Sequence, residues 1–414
     1  VSRARRDWAA AAAAAALLGI SFYVDVRWRE MGVLSDVSGY QERAAAIRAG
    51  GVPYRDFAFE YPPAALPPML LAAYMSWSYA TSFAVLMGAC GAGCIAAGAS
   101  ALRAVGAGAE RVWLALLAVG VSPLLSGPLF ETHFDLWPAL LAVGALAAIV
   151  RGRPVLSGAL LGLGFAAKLW PAVLLPIALV HLWRRRGRPG ALAHAAAFVV
   201  VAAACFLPFA VLAPDGLRAM FADQLDRPLQ VESLGAAVLM AAQHFGMRPL
   251  TTIDSHGGQA LSGHGAGLAA DLSTVFDVAL VFAIWIVYAR RRNTDGETVL
   301  LAAAAAVAAL VAFDKVLSPQ YLVWLVPVAL LVGGLRGAAT GVLLLLALRL
   351  TETWLHAAHY WQLALNHAAP WSWYLLARDL AFVAIAGILL LELSRARDSA
   401  AGRERWPAAR QAGA

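Results

Sequence analysis

Apolar runs recur along the whole chain, most of them close to the roughly 20 residues that a helix needs to cross a hydrocarbon core about 30 Å thick. Twelve can be placed, near residues 8–24, 70–102, 111–127, 134–150, 154–168, 169–183, 190–212, 273–290, 297–313, 318–334, 337–355 and 373–393. No long hydrophilic block separates them, so the pattern predicts an all-α, polytopic fold of about 12 transmembrane helices with residues 1–414 as a single domain. The second run is overlong and is expected to begin with a surface helix. The fifth and sixth are short and meet at "AAKLWP", where Lys168 and Pro171 interrupt an apolar stretch. Such interruptions are tolerated where the backbone is covered by protein or lines a cavity. Two stretches are polar enough to be substantial loops, residues 25–68 and 213–272.

Composition sharpens this picture. The chain is 61% hydrophobic and 14% charged, against about 25% charged residues in soluble domains, so it is read as an integral membrane protein. If the N-terminal "VSRARRDW" faces the cytoplasm, alternate loops ("RAVGAGAER", "RGRP", "RRRGRPG", "ARRRNTDGE", "GGLRG") and the tail from Arg395 hold most of the 32 Lys and Arg residues. This is the positive-inside pattern. It places both termini in the cytoplasm of a multi-pass protein of the cytoplasmic membrane and explains the net charge of +7 as a topology signal, with no call for a nucleic-acid partner. A cleaved signal peptide is disfavoured, because no convincing cleavage site follows the first apolar run and its loss would leave an odd number of spans. The three Cys lie in apolar spans, and Cys90 and Cys94 in "CGAGC" suit small-residue helix packing.

With this topology the costly polar residues collect in the outward loops. Arg occurs thirty times and Lys twice, yet Lys168 in "KLWP" and Lys315 in "KVLSP" both fall at outward span ends, where the positive-inside pattern does not require them. Snorkelling of a long stem is the plain explanation; a pair of ammonium groups at one depth would also suit a lipid phosphate. Asp36 stands at the start of "VSGYQERAAAIRAGG", a short amphipathic helix, as either its N-cap or a carboxylate able to take a proton from a hydroxyl. The following "YRDFAFEYPP" sets Arg55, Asp56 and Glu60 among aromatic rings, a way to hold a sugar or to anchor a loop at the interface. Tyr40, Tyr54 and Tyr61 join the candidate substrate contacts, as do His133 and Asp135 of "ETHFD", Arg227 and Glu232 of "QLDRPLQVESLGAA", and Asp314, Gln320 and Tyr321. The last of the longer motifs is expected to include a surface helix. Glu352, His356 and His359 share one helical face, but no further ligand is evident and no metal site is assigned.

The stretches "SDVSGYQERAAAIRAGGVPYRDFAFEYPP", "GFAAKLWPAVLLPIAL", "RPLQVESLGA" and "KVLSPQYLVWLVP", in this order, resemble actinobacterial members of glycosyltransferase family 87, whose characterised members are polyprenyl-phosphate-mannose-dependent α-mannosyltransferases. The first, second and fourth also resemble the catalytic subunit of the eukaryotic first GPI mannosyltransferase, which carries a related K-V-x-x-S-Q-Y segment. The segment "SPQYLVW" departs from the Ser-Trp and paired-His pattern of some family 87 mannosyltransferases. The resemblance implies a GT-C bundle whose active site lies among extracytoplasmic loops. It implies Asp36 as general base, Lys168 and Lys315 near the donor phosphate, and a polyprenyl-phosphate sugar donor, with mannose the expected hexose. The acceptor would be a glycolipid or glycan, transfer would be an inverting single displacement, and no cofactor would be needed. The main rival is a transporter or flippase of a lipid-linked sugar, which would more often show repeated halves and midplane polar sites; a non-catalytic partner of an envelope enzyme is the third possibility.

Overall fold

A computed structural model of the protein describes residues 3–28, 35–355 and 357–395. In chain order the helices are α1 (Arg3–Trp28), α2 (Val37–Arg48), α3 (Leu66–Tyr74), α4 (Tyr79–Ala104), α5 (Ala109–Ser126), α6 (Leu129–Thr132), α7 (Leu136–Val150), α8 (Pro154–Ala167) and α9 (Leu175–Leu212). They continue with α10 (Pro214–Asp226), α11 (Leu234–Gln243), α12 (Ala266–Arg290), α13 (Gly296–Phe313), α14 (Leu322–Ala329), α15 (Gly334–Leu355), α16 (Ala357–Asn366) and α17 (Ala369–Arg395). Between α11 and α12 an antiparallel hairpin pairs β1 (Leu250–Ser255) with β2 (Gly258–Gly263).

The centre of the bundle is α13, whose "LLAAAAAVAALVAF" has no polar face and is buried almost throughout. A helix that is apolar all round belongs inside, and alanine lets neighbours approach closely. By contrast α9 and α12 leave most of their surface exposed, as helices facing lipid would. Glycines set the closest crossings. A Cβ on Gly158 or Gly162 of α8 would come 2.1 Å from the carbonyl oxygen of His194 or 2.5 Å from that of Phe198 on α9.

Eight helices among the described residues are long and apolar enough to cross a membrane, where the hydrophobic pattern predicted about 12 spans. The expected spans at 169–183 and 190–212 fall within one long helical stretch turned at Gly187 (φ 68°). Those at 134–150, 154–168 and 318–334 correspond to α7, α8 and α14, of 15, 14 and 8 residues. At 1.5 Å per residue, α7 and α8 reach only about three quarters of the way across a 30 Å core. The overlong second run divides into α3 and α4, as expected. The expected surface helix in "QLDRPLQVESLGAA" is instead the end of α10, a non-helical stretch at 227–233 that includes a turn, and the start of α11, and the hairpin is an addition to the all-α expectation.

The expected basic loops meet at one end of the bundle. Arg103 lies 3.6 Å from Asp7, Arg111 pairs with Glu297 at 2.5 Å, Arg184 donates to the carbonyl oxygens of Ala289 and Arg291, and Arg336 pairs with Glu392. At the other end, the loop after α2, α10, the hairpin and α16 form a roof. Tyr54, at φ 69°, pins the first loop: its hydroxyl donates to the Tyr61 carbonyl at 2.5 Å and its ring packs on Phe59 and Phe209.

Gly162→Val should lower stability by about 1–3 kcal/mol through overpacking, read as a lower melting temperature in detergent. Gly267→Ala, where an added Cβ meets nothing within 4 Å, should cause no loss.

Candidate active site

The resolution of Asp36's two possible roles begins with backbone geometry. Asp36 precedes α2 with helical dihedrals (φ −88°, ψ −2°) and makes no side-chain cap hydrogen bond, whereas the Ser35 hydroxyl accepts from the Val37 N–H at 3.3 Å. One turn on, the buried Tyr40 donates its hydroxyl to Asp36 Oδ2 at 3.1 Å. That tyrosine is fixed by edge contacts with Tyr61 and Phe134. Burial first, then the Asp36 charge, pushes the Tyr40 phenol well up, so it remains a neutral donor. His133 Nε2 stands 3.7 Å from the same carboxylate oxygen. Its Nδ1 lies 3.1 Å from the Leu129 carbonyl oxygen, which can only accept, so the ring proton belongs on Nδ1 and Nε2 faces Asp36. The carboxylate is held on one side and 42% exposed on the other.

Behind it lies a buried ion pair. Lys168 ends α8 in an extended conformation (φ −159°, ψ 139°) that turns its side chain out of the helix. Its ammonium is 2.6 Å from Asp135 Oδ1, at the start of α7, and the same oxygen accepts from Trp324 Nε1 at 2.5 Å. The rings of Phe134, Trp324 and Tyr321 surround the ammonium at 4.9, 5.0 and 5.5 Å, within cation–π range. Tyr321 stacks on Trp324 at 3.7 Å, and Trp324 on Trp170 at 5.3 Å. The "KLWP" and "SPQYLVW" motifs thus meet through their aromatic residues.

These groups line a cavity of about 820 Å³, within the size range of small-molecule sites. A further wall comes from the segment between α10 and α11, pinned on both sides: the Gln230 N–H donates to the Lys315 carbonyl at 2.9 Å and the Val231 N–H to that of Gln259 at 3.0 Å. Arg227 reaches the His256 carbonyl in the hairpin turn at 3.0 Å. Glu232 is buried and accepts from Tyr360 at 3.0 Å, and burial pushes its carboxyl up to about 7. Burial likewise raises Asp314. On the remaining side Asp277, Val278, Phe282 and Trp285 of α12 line the cavity, and Val278 and Phe282 are also exposed on the outer surface. This wall therefore joins the cavity to the apolar flank of the bundle.

Most of the residues singled out from the sequence meet here: Asp36, His133 and Lys168 on one side, Glu60 and Tyr61 in the roof, and Arg227, Glu232, Asp314, Gln320 and Tyr321 on the other. Tyr40 and Asp135 stand behind the wall as partners of Asp36 and Lys168. The structure does not bring Lys315 beside Lys168: its ammonium donates to the Leu225 carbonyl at 2.8 Å, which braces the segment leading to Arg227. Arg55 lies on the surface, paired with Asp56 at 2.9 Å, and Tyr54 serves the first loop from within. Trp170, Trp324, Gln230 and Tyr360 escaped the sequence reading, although the two tryptophans flank the lysine and tyrosine that it chose. His356 lies outside the described residues; Glu352 pairs with Arg349, and His359 Nδ1 is 3.0 Å from the Thr353 carbonyl oxygen. Among the described residues no group of three His, Cys, Asp or Glu side chains is arranged for a metal ion.

Lys168→Met should destabilise the fold by about 3–5 kcal/mol, because it leaves Asp135 buried without its counter-charge, and the double change with Asp135→Leu should recover most of that loss. Melting temperatures of the two variants provide the check. A separate pH dependence follows from Glu232. Its native carboxyl holds a proton up to about pH 7, whereas the unfolded chain releases it near pH 4.3, so stability is greatest below that lower value and falls as the pH rises between the two, by on the order of 3 kcal/mol. Glu232→Gln should flatten the decline in melting temperature between pH 5 and pH 8.

Residues 59–319 match the family described as glycosyltransferase family 87. No curated protein matches the chain. Among solved structures it is similar to the oligosaccharyltransferase of Archaeoglobus fulgidus in its apo form, at 14% identity and a TM-score of 0.43, with 92% of this chain and 55% of that chain covered. The chain thus spans about half the length of that enzyme. The family match takes in the cavity walls from Glu60 through Lys168 to Pro319 and runs over more than half of the sequence: the protein belongs to glycosyltransferase family 87.

Proposed function

We propose that this membrane glycosyltransferase moves a hexose, mannose by its resemblance to characterised family members, from a polyprenyl-phosphate donor to a hydroxyl of a glycolipid or polysaccharide. One observation carries the lipid-linked donor. The cavity combines a carboxylate, an ammonium and aromatic rings with an apolar wall on α12 that continues onto the exposed flank of the bundle. A sugar phosphate bearing a long hydrocarbon tail is a ligand with those three parts.

In the proposed reaction the acceptor oxygen attacks the anomeric carbon while Asp36 takes the hydroxyl proton. The bond from that carbon to the phosphate oxygen breaks, its electron pair leaves with the polyprenyl phosphate, and a single displacement inverts the centre. Tyr40 holds Asp36 in place, and His133 Nε2 stands 3.7 Å from the same oxygen. Lys168 meets the growing phosphate charge, with Arg227 as the second cation; stabilisation of this kind acts most strongly where water is excluded. Lys315 is a positioning residue in this scheme, acting through the Leu225 carbonyl on the Arg227 segment. The GT-C architecture and an active site opening outside the cytoplasmic membrane belong to the same proposal, with the basic end of the bundle and both termini on the cytoplasmic side. A flippase is the less favoured alternative, since the polar groups gather at one end of the bundle instead of along a path through it.

Asp36→Asn should reduce transfer from radiolabelled polyprenyl-phosphate mannose to a glycolipid extract by about 10²–10⁴-fold, the contribution typical of a general base. Its melting temperature should barely change, because Asp36 caps nothing. Full activity in the folded variant would remove Asp36 from the chemistry; activity only with another polyprenyl-phosphate sugar would replace mannose and keep the mechanism.

A further inference from the structure

A second polar cluster lines the cavity on elements that carry neither Asp36 nor Lys168. Residues 227–233 run between the hairpin and the end of α13, with Gln230 bridged to Ala260 and a turn closed by the Ser233 N–H on the Gln230 carbonyl at 3.0 Å. Val231 is fully buried, while its neighbours Gln230 and Glu232 both line the cavity. Each of these two is held by one end. The Gln230 amide donates to Ser318 Oγ at 2.8 Å, and Glu232 Oε1 accepts from the Tyr360 hydroxyl at 3.0 Å. Behind them the buried Arg378, paired with Asp379 at 2.7 Å, donates to the Glu232 backbone carbonyl.

The other end of each side chain is poorly satisfied. Gln230 Oε1 and Glu232 Oε2 are buried and neither accepts a hydrogen bond of good geometry, although the Gln230 side chain and the Glu232 backbone N–H both lie close to the Glu232 carboxyl. An unpaired buried acceptor costs about 1–3 kcal/mol, and more when it is charged, so native proteins carry few of them. Here two occur two residues apart on one cavity wall, braced by Ser318, Tyr360 and Arg378. Both lack well-placed donors. A ligand rich in neutral hydroxyl groups supplies donors without adding charge to a wall that already holds Glu232 and Asp314.

We propose that Gln230 and Glu232 form a hydroxyl-reading subsite that accepts hydrogen bonds from a pyranose ring in the cavity and selects among sugars by the hydroxyls they present. This rests on the reading of the cavity as a glycosyl-transfer site. The shared chemistry, a pyranose polyol, comes either from the donor's hexose or from the acceptor's terminal sugar. Tyr321, whose ring lies beside both Lys168 and the Glu232 wall, spans the two halves of the cavity.

The test is equilibrium binding of methyl hexopyranosides and their monodeoxy analogues to the full chain in nanodiscs, followed by tryptophan fluorescence and saturation-transfer NMR. At pH 8, where Glu232 is ionised, wild type should bind one hexoside about 10- to 100-fold more tightly than the analogue lacking the recognised hydroxyl, the range expected for a hydrogen bond to a charged group. Glu232→Gln should lose that preference, and Gln230→Ala, which leaves Glu232 in place, should weaken it from the other side. Equal binding of parent and deoxy sugars by wild type, or an unchanged preference in both folded variants, would overturn the proposal. In transfer assays a raised KM for the donor assigns the subsite to the transferred hexose and a raised KM for the acceptor assigns it to the acceptor sugar; either supports it. Hydroxyl-dependent binding by a protein that transfers no sugar would uphold the subsite while removing the catalytic role.

Discussion

The buried pair between Lys168 and Asp135 is the constraint on which the cavity is built. An ammonium and a carboxylate inside an apolar bundle are each costly to desolvate and are retained only where geometry and hydrogen bonding are good. Meeting that requirement fixes the end of α8, the start of α7 and the turn before α14 against one another, since Lys168, Asp135 and Trp324 share a single carboxylate oxygen. The aromatic rings around the ammonium complete the site without neutralising its charge. Lys168 is 14% exposed, so the cation is anchored on one side and still available to the cavity.

The other walls divide the remaining work. The α2 side offers a carboxylate positioned by a tyrosine, with a histidine beside it. The segment between α10 and α11 offers acceptor oxygens, and α12 offers apolar surface. An ion pair alone would be a stability feature of debatable value; next to an exposed carboxylate and an apolar flank it becomes one part of the site for which a lipid-linked sugar phosphate is proposed.

Much of this was legible in the sequence because polar groups in an apolar chain are expensive and therefore conspicuous. Lys168 stood out in a chain that otherwise uses Arg, and Asp36 stood out after the first span. Other features left no such signal. Ser35 and Asp36 are both good caps, and only the backbone geometry leaves the Asp36 carboxylate free of that duty. The likeness of "KLWP" to "KVLSP" carried no information about side-chain direction, and Lys315 turns to the Leu225 carbonyl. The hairpin was hidden by its polarity, although His256 and Gly257, both at positive φ, form the two-residue turn that such hairpins favour. Hydropathy likewise located α7, α8 and α14 while overstating their reach, because periodicity marks an apolar helix and says little about where it stops.

The most direct measurement is a cryo-electron microscopy structure of the protein in lipid with a polyprenyl phosphate bound. The account predicts the phosphate within hydrogen-bonding distance of the Lys168 ammonium and the first isoprene units along Val278, Phe282 and Trp285 of α12. A phosphate bound at the basic end of the bundle, with the cavity around Lys168 empty, would contradict it.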